Sequence, residues 1–273
     1  GQKLADDLVP GSNQIQALRK LAASEIMDQV RGEEKFALRS FFPVIDGVLL
    51  PMSPFQAFRE GKEHDVPLLV GSNSDEASLF WPHMPSPLIE YREREPSVDQ
   101  MKELIEFEFQ EDASLINDVY EEIMECDPVA QQELLGDSLF GAPAFYYASL
   151  HSRKNDSTFL YHFNQVPPSS KQTAGAYHAA EIGYVFDIKS PVFPKSRSGK
   201  QLAAIMSQTW AQFAKSGNPN KATLPIWDAF TDEFPRWMLY GEQLGQGTIA
   251  KEPQYRALNR RLERQLDDLS ASK

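Results

Sequence analysis

One cysteine, Cys126, is the whole thiol content of these 273 residues. No disulfide can therefore close within the chain, and a zinc site of the Cys/His kind has no ligand set to draw on. The shortage suits a reducing compartment without requiring one, because exported proteins can also lack disulfides. Long apolar runs are missing too: nothing approaches the roughly 20 residues needed to span a bilayer, and no stretch of these residues reads as a secretory signal. The expectation is a soluble protein, with cytoplasm and secretion both open. Basic residues are outnumbered, 27 Lys and Arg against 39 Asp and Glu, for a net charge of -12. Such a field repels phosphate backbones and anionic lipid, so nucleic acid and membrane surfaces are not expected partners. There is no internal repeat, low-complexity tract or long linker.

What is present reads as one large domain or as part of a larger one. With 41% hydrophobic residues the chain can bury a sizeable core. Gly1 to Val30 predicts helix, with Ser12 as a cap and Ile15, Leu18, Leu21 and Ala22 on one face. Asp46-Gly47 interrupts an apolar stretch as a tight turn or hairpin. Val66 to Val70 is short, wholly apolar and ended by Gly71, the pattern of a strand buried on both faces. Ser97 with Gln100 forms a capping box ahead of Met101, Leu104 and Ile105. Leu115, Val119 and Ile123 mark a second helix, and Asp127-Pro128 a new helix start. Thr158 to Phe163 reads as an interior strand. The helix through Leu202, Met206, Trp210 and Phe213 stops at Gly217, with Pro219 beyond. Arg236 to Tyr240 is a last strand, and Leu258, Leu262, Leu266 and Leu269 line a terminal helix opened by Pro253. Strands alternating with helices predict an α/β fold, a mostly parallel sheet flanked by helices.

Reactive groups of such sheets gather past the C-terminal ends of the strands. Two stretches qualify. Gly71-Ser72-Asn73-Ser74-Asp75-Glu76 follows the first strand, where a carboxylate can orient an imidazole or merely begin a helix with favourable charge. Ala174-Gly175-Ala176-Tyr177-His178-Ala179-Ala180-Glu181 follows the second, with small residues around one histidine. That histidine suits general-base work, or is satisfied structurally at a helix start. His64, His83, His151 and His162 sit in less suitable surroundings.

Taken together, the two stretches resemble the type-B carboxylesterase and cholinesterase-like family of α/β-hydrolases. Acid then histidine is the order these enzymes follow after their serine. Phe42-Pro43-Val44-Ile45-Asp46-Gly47 looks like the family's segment before the acid, and Val66 to Phe80 like its strand and acid loop. Gly175 to Phe186 resembles its histidine loop. Trp210 to Asn220, with Leu224-Pro225-Ile226-Trp227, resembles a late family segment. The likeness runs from the opening helix to about Tyr240.

The resemblance implies Glu76 as triad acid and His178 as general base. It implies Leu79, Phe80 and Trp81 as residues bordering the substrate, although ordinary core is the equal alternative for these three. Ala77 departs from the glycine usual after the acid. The larger departure is the missing nucleophile: no Gly-x-Ser-x-Gly occurs in the chain, and neither does the Gly-rich oxyanion loop. The expectation is that residues 1–273 are the C-terminal portion of a single hydrolase domain, inactive alone. An N-terminal portion would then supply the serine that attacks a small carboxylic ester, and no metal or organic cofactor takes part. A non-catalytic adhesion domain is the alternative function; keeping both Glu76 and His178 counts against it. Gly136-Asp137-Ser138-Leu139 spells the signature of a different esterase family, but it lies mid-chain between helical stretches, where Asp137 is expected in a buried polar contact or helix end.

Overall fold

The computed structural model describes residues 2–11, 13–31, 43–79, 97–126, 130–168, 173–190 and 194–271. The chain divides into two compact units, Gly1–Ser53 and Pro54–Lys273.

In the first unit the predicted single helix is three short ones, α1 (Gln2–Leu8), α2 (Gln14–Leu18) and α3 (Ala23–Arg31). Pro10-Gly11 breaks the run: proline cannot donate to a helical ladder, and Gly11 takes φ +118. Asn13 then enters α2 from a left-handed conformation without a side-chain cap bond. Ser12 lies outside the described residues. The predicted apolar face is not buried as a unit either, since Ile15 is 69% exposed. Asp46 makes the expected turn, its Oδ1 accepting from the backbone N–H groups of Val48, Leu49 and Leu50 at 2.9 Å.

The second unit is built on a four-stranded sheet, β1 (Leu68–Asn73), β2 (Thr158–Phe163), β3 (Trp237–Tyr240) and β4 (Leu244–Gly247), in that spatial order. The first three are parallel and β4 returns antiparallel on β3. The second strand occupies its expected span. The first is shifted: it starts at Leu68 and continues through Gly71 to Asn73, because each of those residues has a partner on β2, from Leu68 opposite Thr158 to Asn73 opposite Phe163. Its first four residues are only half-buried. Gly71 fits in the strand since any Cβ there would collide with Tyr161.

Alternation along the strands separates two cores. Val70, Leu160, Trp237 and Leu239 point to one face of the sheet. There α4 (Pro54–Arg59), α5 (Val98–Phe109), α6 (Ala113–Cys126), α7 (Ala130–Gly136), α8 (Ala142–His151) and α11 (Glu252–Ala271) assemble. Leu69, Phe159, Phe163, Met238 and Tyr240 point to the other, packing with α9 (Ile182–Val185) and α10 (Arg197–Ser216). Phe145 of α8 stacks on Trp237 with centroids 5.5 Å apart, one of several ring contacts that close the larger core.

Local signals place the helices. Ser97 Oγ accepts from Gln100 N at 3.3 Å while Gln100 Oε1 accepts from Ser97 N at 2.9 Å, the expected reciprocal cap of α5. Gly217 ends α10 with φ +72 and donates to Phe213 O. On α11, Leu258 and Leu266 are buried as expected, but Leu269 is 63% exposed because the helix outruns the core. Asp127-Pro128 lies outside the described residues. Among the described residues no helix is long and apolar enough to cross a membrane.

Candidate functional site

The parallel pairing of β1 with β2 ends at Asn73 and Phe163, so the two following loops leave the sheet side by side. Hydrogen bonds knit them. Asp75 N donates to Ala176 O at 3.2 Å, and the Asp75 carboxylate accepts from Ala176 N at 2.8 Å and from Ser74 Oγ at 2.6 Å. Asp75 and Tyr177 form a parallel bridge beyond the named strands. Ser78 Oγ reaches Ala174 O at 2.7 Å.

This knitting brings together the two residues singled out from sequence. His178 Nδ1 lies 2.7 Å from Glu76 Oε2. The other oxygen, Oε1, accepts from Asn73 N at 2.7 Å. Both carboxylate oxygens are thus committed, and a carboxylate held at two points fixes the plane of the imidazole it faces. Glu76 is buried, whereas the His178 side chain is 39% exposed. One face of the ring is covered by Phe140, 4.6 Å away centroid to centroid. The hydrogen bond with Glu76 raises the His178 pKa above its ordinary value against the opposing effect of burial. A more basic imidazole in a fixed orientation is what general-base chemistry needs.

Several contributors were not identified from sequence. Asn73 Nδ2 donates to Tyr177 O at 2.8 Å and to Glu181 Oε2 at 2.6 Å, a second tie between the loops. Burial raises the Glu181 pKa, with the Asn73 bond opposing. Glu181 sits three residues after His178, a spacing that could have flagged it; Phe140 arrives from a π-helical turn (Asp137–Gly141) that no local pattern announces. Ala77, in place of the usual glycine, is buried in the larger core. Gly136 packs closely on this residue: a Cβ there would lie 3.2 Å from Ala77 N and in ordinary contact, 3.5 Å, with the Ala77 methyl.

Among the other candidates, Leu79 is 45% exposed, and Phe80, Trp81 and His83 lie outside the described residues. Asp137 is in the expected buried polar contact, accepting from Tyr120 Oη at 2.8 Å and Lys251 Nζ at 3.1 Å. His151 is buried against Glu63 and the Val66 carbonyl. His162 is buried in β2 with its pKa pushed down to about 4, chiefly by desolvation, which keeps it neutral near pH 7. No group of three or more His, Cys, Asp or Glu placed to hold a metal ion occurs among the described residues.

Comparison with known proteins gives this geometry its setting. The carboxylesterase family profile matches residues 3–258. Mouse Carboxylesterase 1C is 30% identical over 232 residues, covering 80% of this chain and 41% of that protein. The para-nitrobenzyl esterase of Bacillus subtilis (strain 168) is 27% identical over 254 residues, covering 88% and 48%. A solved structure titled PNB esterase superposes with a TM-score of 0.70 at 23% identity, covering 94% of this chain and 53% of that one. The chain spans about half the length of the curated relatives it matches. The solved structure shows the shared α/β fold, and a profile running through nearly the whole sequence establishes that this chain belongs to the carboxylesterase family.

Proposed function

We propose that this chain supplies the acid and the base of a Ser-His-Glu triad that hydrolyses carboxylic esters. The 2.7 Å contact between His178 Nδ1 and Glu76 Oε2 carries the reading. In it Nδ1–H donates to Glu76, leaving Nε2 as the acceptor of the proton from a serine hydroxyl. The serine oxygen attacks the ester carbonyl, and His178 then delivers the proton to the departing alcohol. Water, activated by the same nitrogen, releases the acid and restores the serine. Glu76 holds the tautomer and stabilises the imidazolium formed between the steps.

The serine and the oxyanion donors come, in this proposal, from an N-terminal portion of the same enzyme. Two observations support that. No Gly-x-Ser-x-Gly occurs in the 273 residues, and the outer edge of β1 has no neighbouring strand among the described residues. The substrate in this proposal is a short- to medium-chain ester, as the family resemblance implies, and Leu79, half-exposed just beyond Glu76, is proposed to border its pocket.

The test is turnover of a short-chain nitrophenyl ester by this chain alone and with the N-terminal portion present. The chain alone is expected to be silent and the complete enzyme active; equal activity of the two would refute the division of labour.

The pH profile adds a second check. His178 must be neutral to accept a proton, so activity falls as pH drops through its pKa. The Glu76 hydrogen bond raises that pKa, which places the acidic limb of kcat/KM above the ordinary histidine value of about 6.5. Glu76→Gln removes the main cause of the rise, and the limb of its residual activity should move to lower pH. A limb that stays put would detach Glu76 from the base.

A further inference from the structure

Beneath the acid loop lies a buried charge cluster that the proton transfers above do not use. Lys251, immediately ahead of α11, places Nζ 3.1 Å from Asp137 Oδ1, 3.3 Å from Glu133 Oε2 and 3.5 Å from the Ser74 carbonyl. The ammonium end is mostly buried, and the Asp137 side chain is only 5% exposed. Tyr120 Oη of α6 holds the other oxygen of Asp137. The same floor touches the loop directly: Gly136, at the end of α7, faces Ala77 N and Glu76 Cβ. A cavity of about 20 Å³, room for one water, is lined by Asn73, Asp75, Glu76, Glu133, Gly136 and Asp137, among others.

We infer that Lys251 is a positioning residue for the Glu76–His178 pair, tethering the Ser74 carbonyl and neutralising the acidic floor on which the loop rests. This rests on the triad proposed above. Four carboxylates, those of Asp75, Glu76, Glu133 and Asp137, border one small cavity. Like charges so close repel, and in a desolvated site the repulsion is strong. Lys251 compensates the two beneath the loop, and its ammonium donates a hydrogen bond to the carbonyl of Ser74, two residues before Glu76. Glu76 can therefore keep both its oxygens on Asn73 and His178.

The experiment uses the complete enzyme. Lys251→Met is expected to lower kcat by about 10- to 100-fold, since small misplacements in a proton-transfer site have effects of this size, with KM changed less than about twofold. The far-downfield proton resonance of the His178 Nδ1–H bonded to Glu76 should broaden or shift. Lys251→Arg should restore most of kcat.

Breaking one member of a buried ion pair can unfold a protein, so Lys251→Met with Asp137→Asn, which removes both charges together, is the companion variant. It is expected to fold and still to lose kcat, because the tether to Ser74 is gone. Wild-type kcat and an unchanged resonance in either folded variant would overturn the inference. His178→Ala separates the two levels: full turnover there refutes the triad itself, whatever Lys251 does.

Discussion

His178→Ala in the complete enzyme is expected to lower kcat for a short-chain nitrophenyl ester by about 10⁴- to 10⁶-fold, with little change in KM. Without the imidazole the serine proton has no acceptor, and the departing alkoxide has no donor. Binding surfaces and oxyanion donors remain, so a residual rate above that in water persists. Glu76→Gln should cost less, about 10³- to 10⁴-fold, because the ring is still present but an amide favours the wrong tautomer. The two losses should not add: once His178 is gone, nothing is left for Glu76 to orient. The structure makes this coupling specific, since Glu76 Oε2 meets His178 Nδ1 at 2.7 Å and Oε1 is occupied by Asn73 N. Retention of full turnover by His178→Ala would end the base assignment. Additive losses in the double variant would mean that the two side chains act separately.

That the pair exists at all was legible from chain order and loop composition, through family resemblance. The means of holding it was not. Asn73, Asp75 and Glu181 do their work through pairings more than 100 residues apart in sequence, as with Asp75 and Ala176, and no local period records such contacts. The same limit explains the fold. Thr158 to Phe163 is apolar and β-branched or aromatic enough to declare itself, and it pairs on both edges. The neighbouring strand reads in sequence as ending at Val70 but runs three residues further, because its polar end, Ser72 and Asn73, becomes strand only by pairing with His162 and Phe163. Leu244 to Gly247, with glycine at alternate positions, has no β propensity to read; it is a strand because β3 offers an edge. At the other end, a periodic apolar pattern suggested one helix where Pro10 and Gly11 divide it. Breakers outrank periodicity there.

The knitting of the loops predicts a large effect from a residue with no side chain. Gly175 has φ +63, and a Cβ built on it would fall 2.5 and 2.7 Å from Asp75 Oδ2 and Oδ1. An alanine there pays twice. The left-handed conformation alone costs about 1–2 kcal/mol for a residue with a Cβ. The carboxylate, moreover, cannot swing aside without releasing Ala176 N and Ser74 Oγ, charge-assisted bonds of about 1.5–3 kcal/mol each. The expense falls on the junction between the acid and histidine loops, three residues before His178. The predicted result for Gly175→Ala in the complete enzyme is a fall in kcat of about 10²- to 10³-fold, larger than its effect on KM. Asp75→Ala gives the control. Alone it loosens the junction; combined with Gly175→Ala it removes the group that the new methyl would strike. Only the conformational cost of the alanine then remains, so the pair should be less damaging than the sum of the singles by at least about 1 kcal/mol. Additivity in kcat, measured on variants of wild-type circular dichroism, would mean that the glycine is needed for its backbone angle alone and that the close approach of the Asp75 carboxylate contributes nothing to the loss.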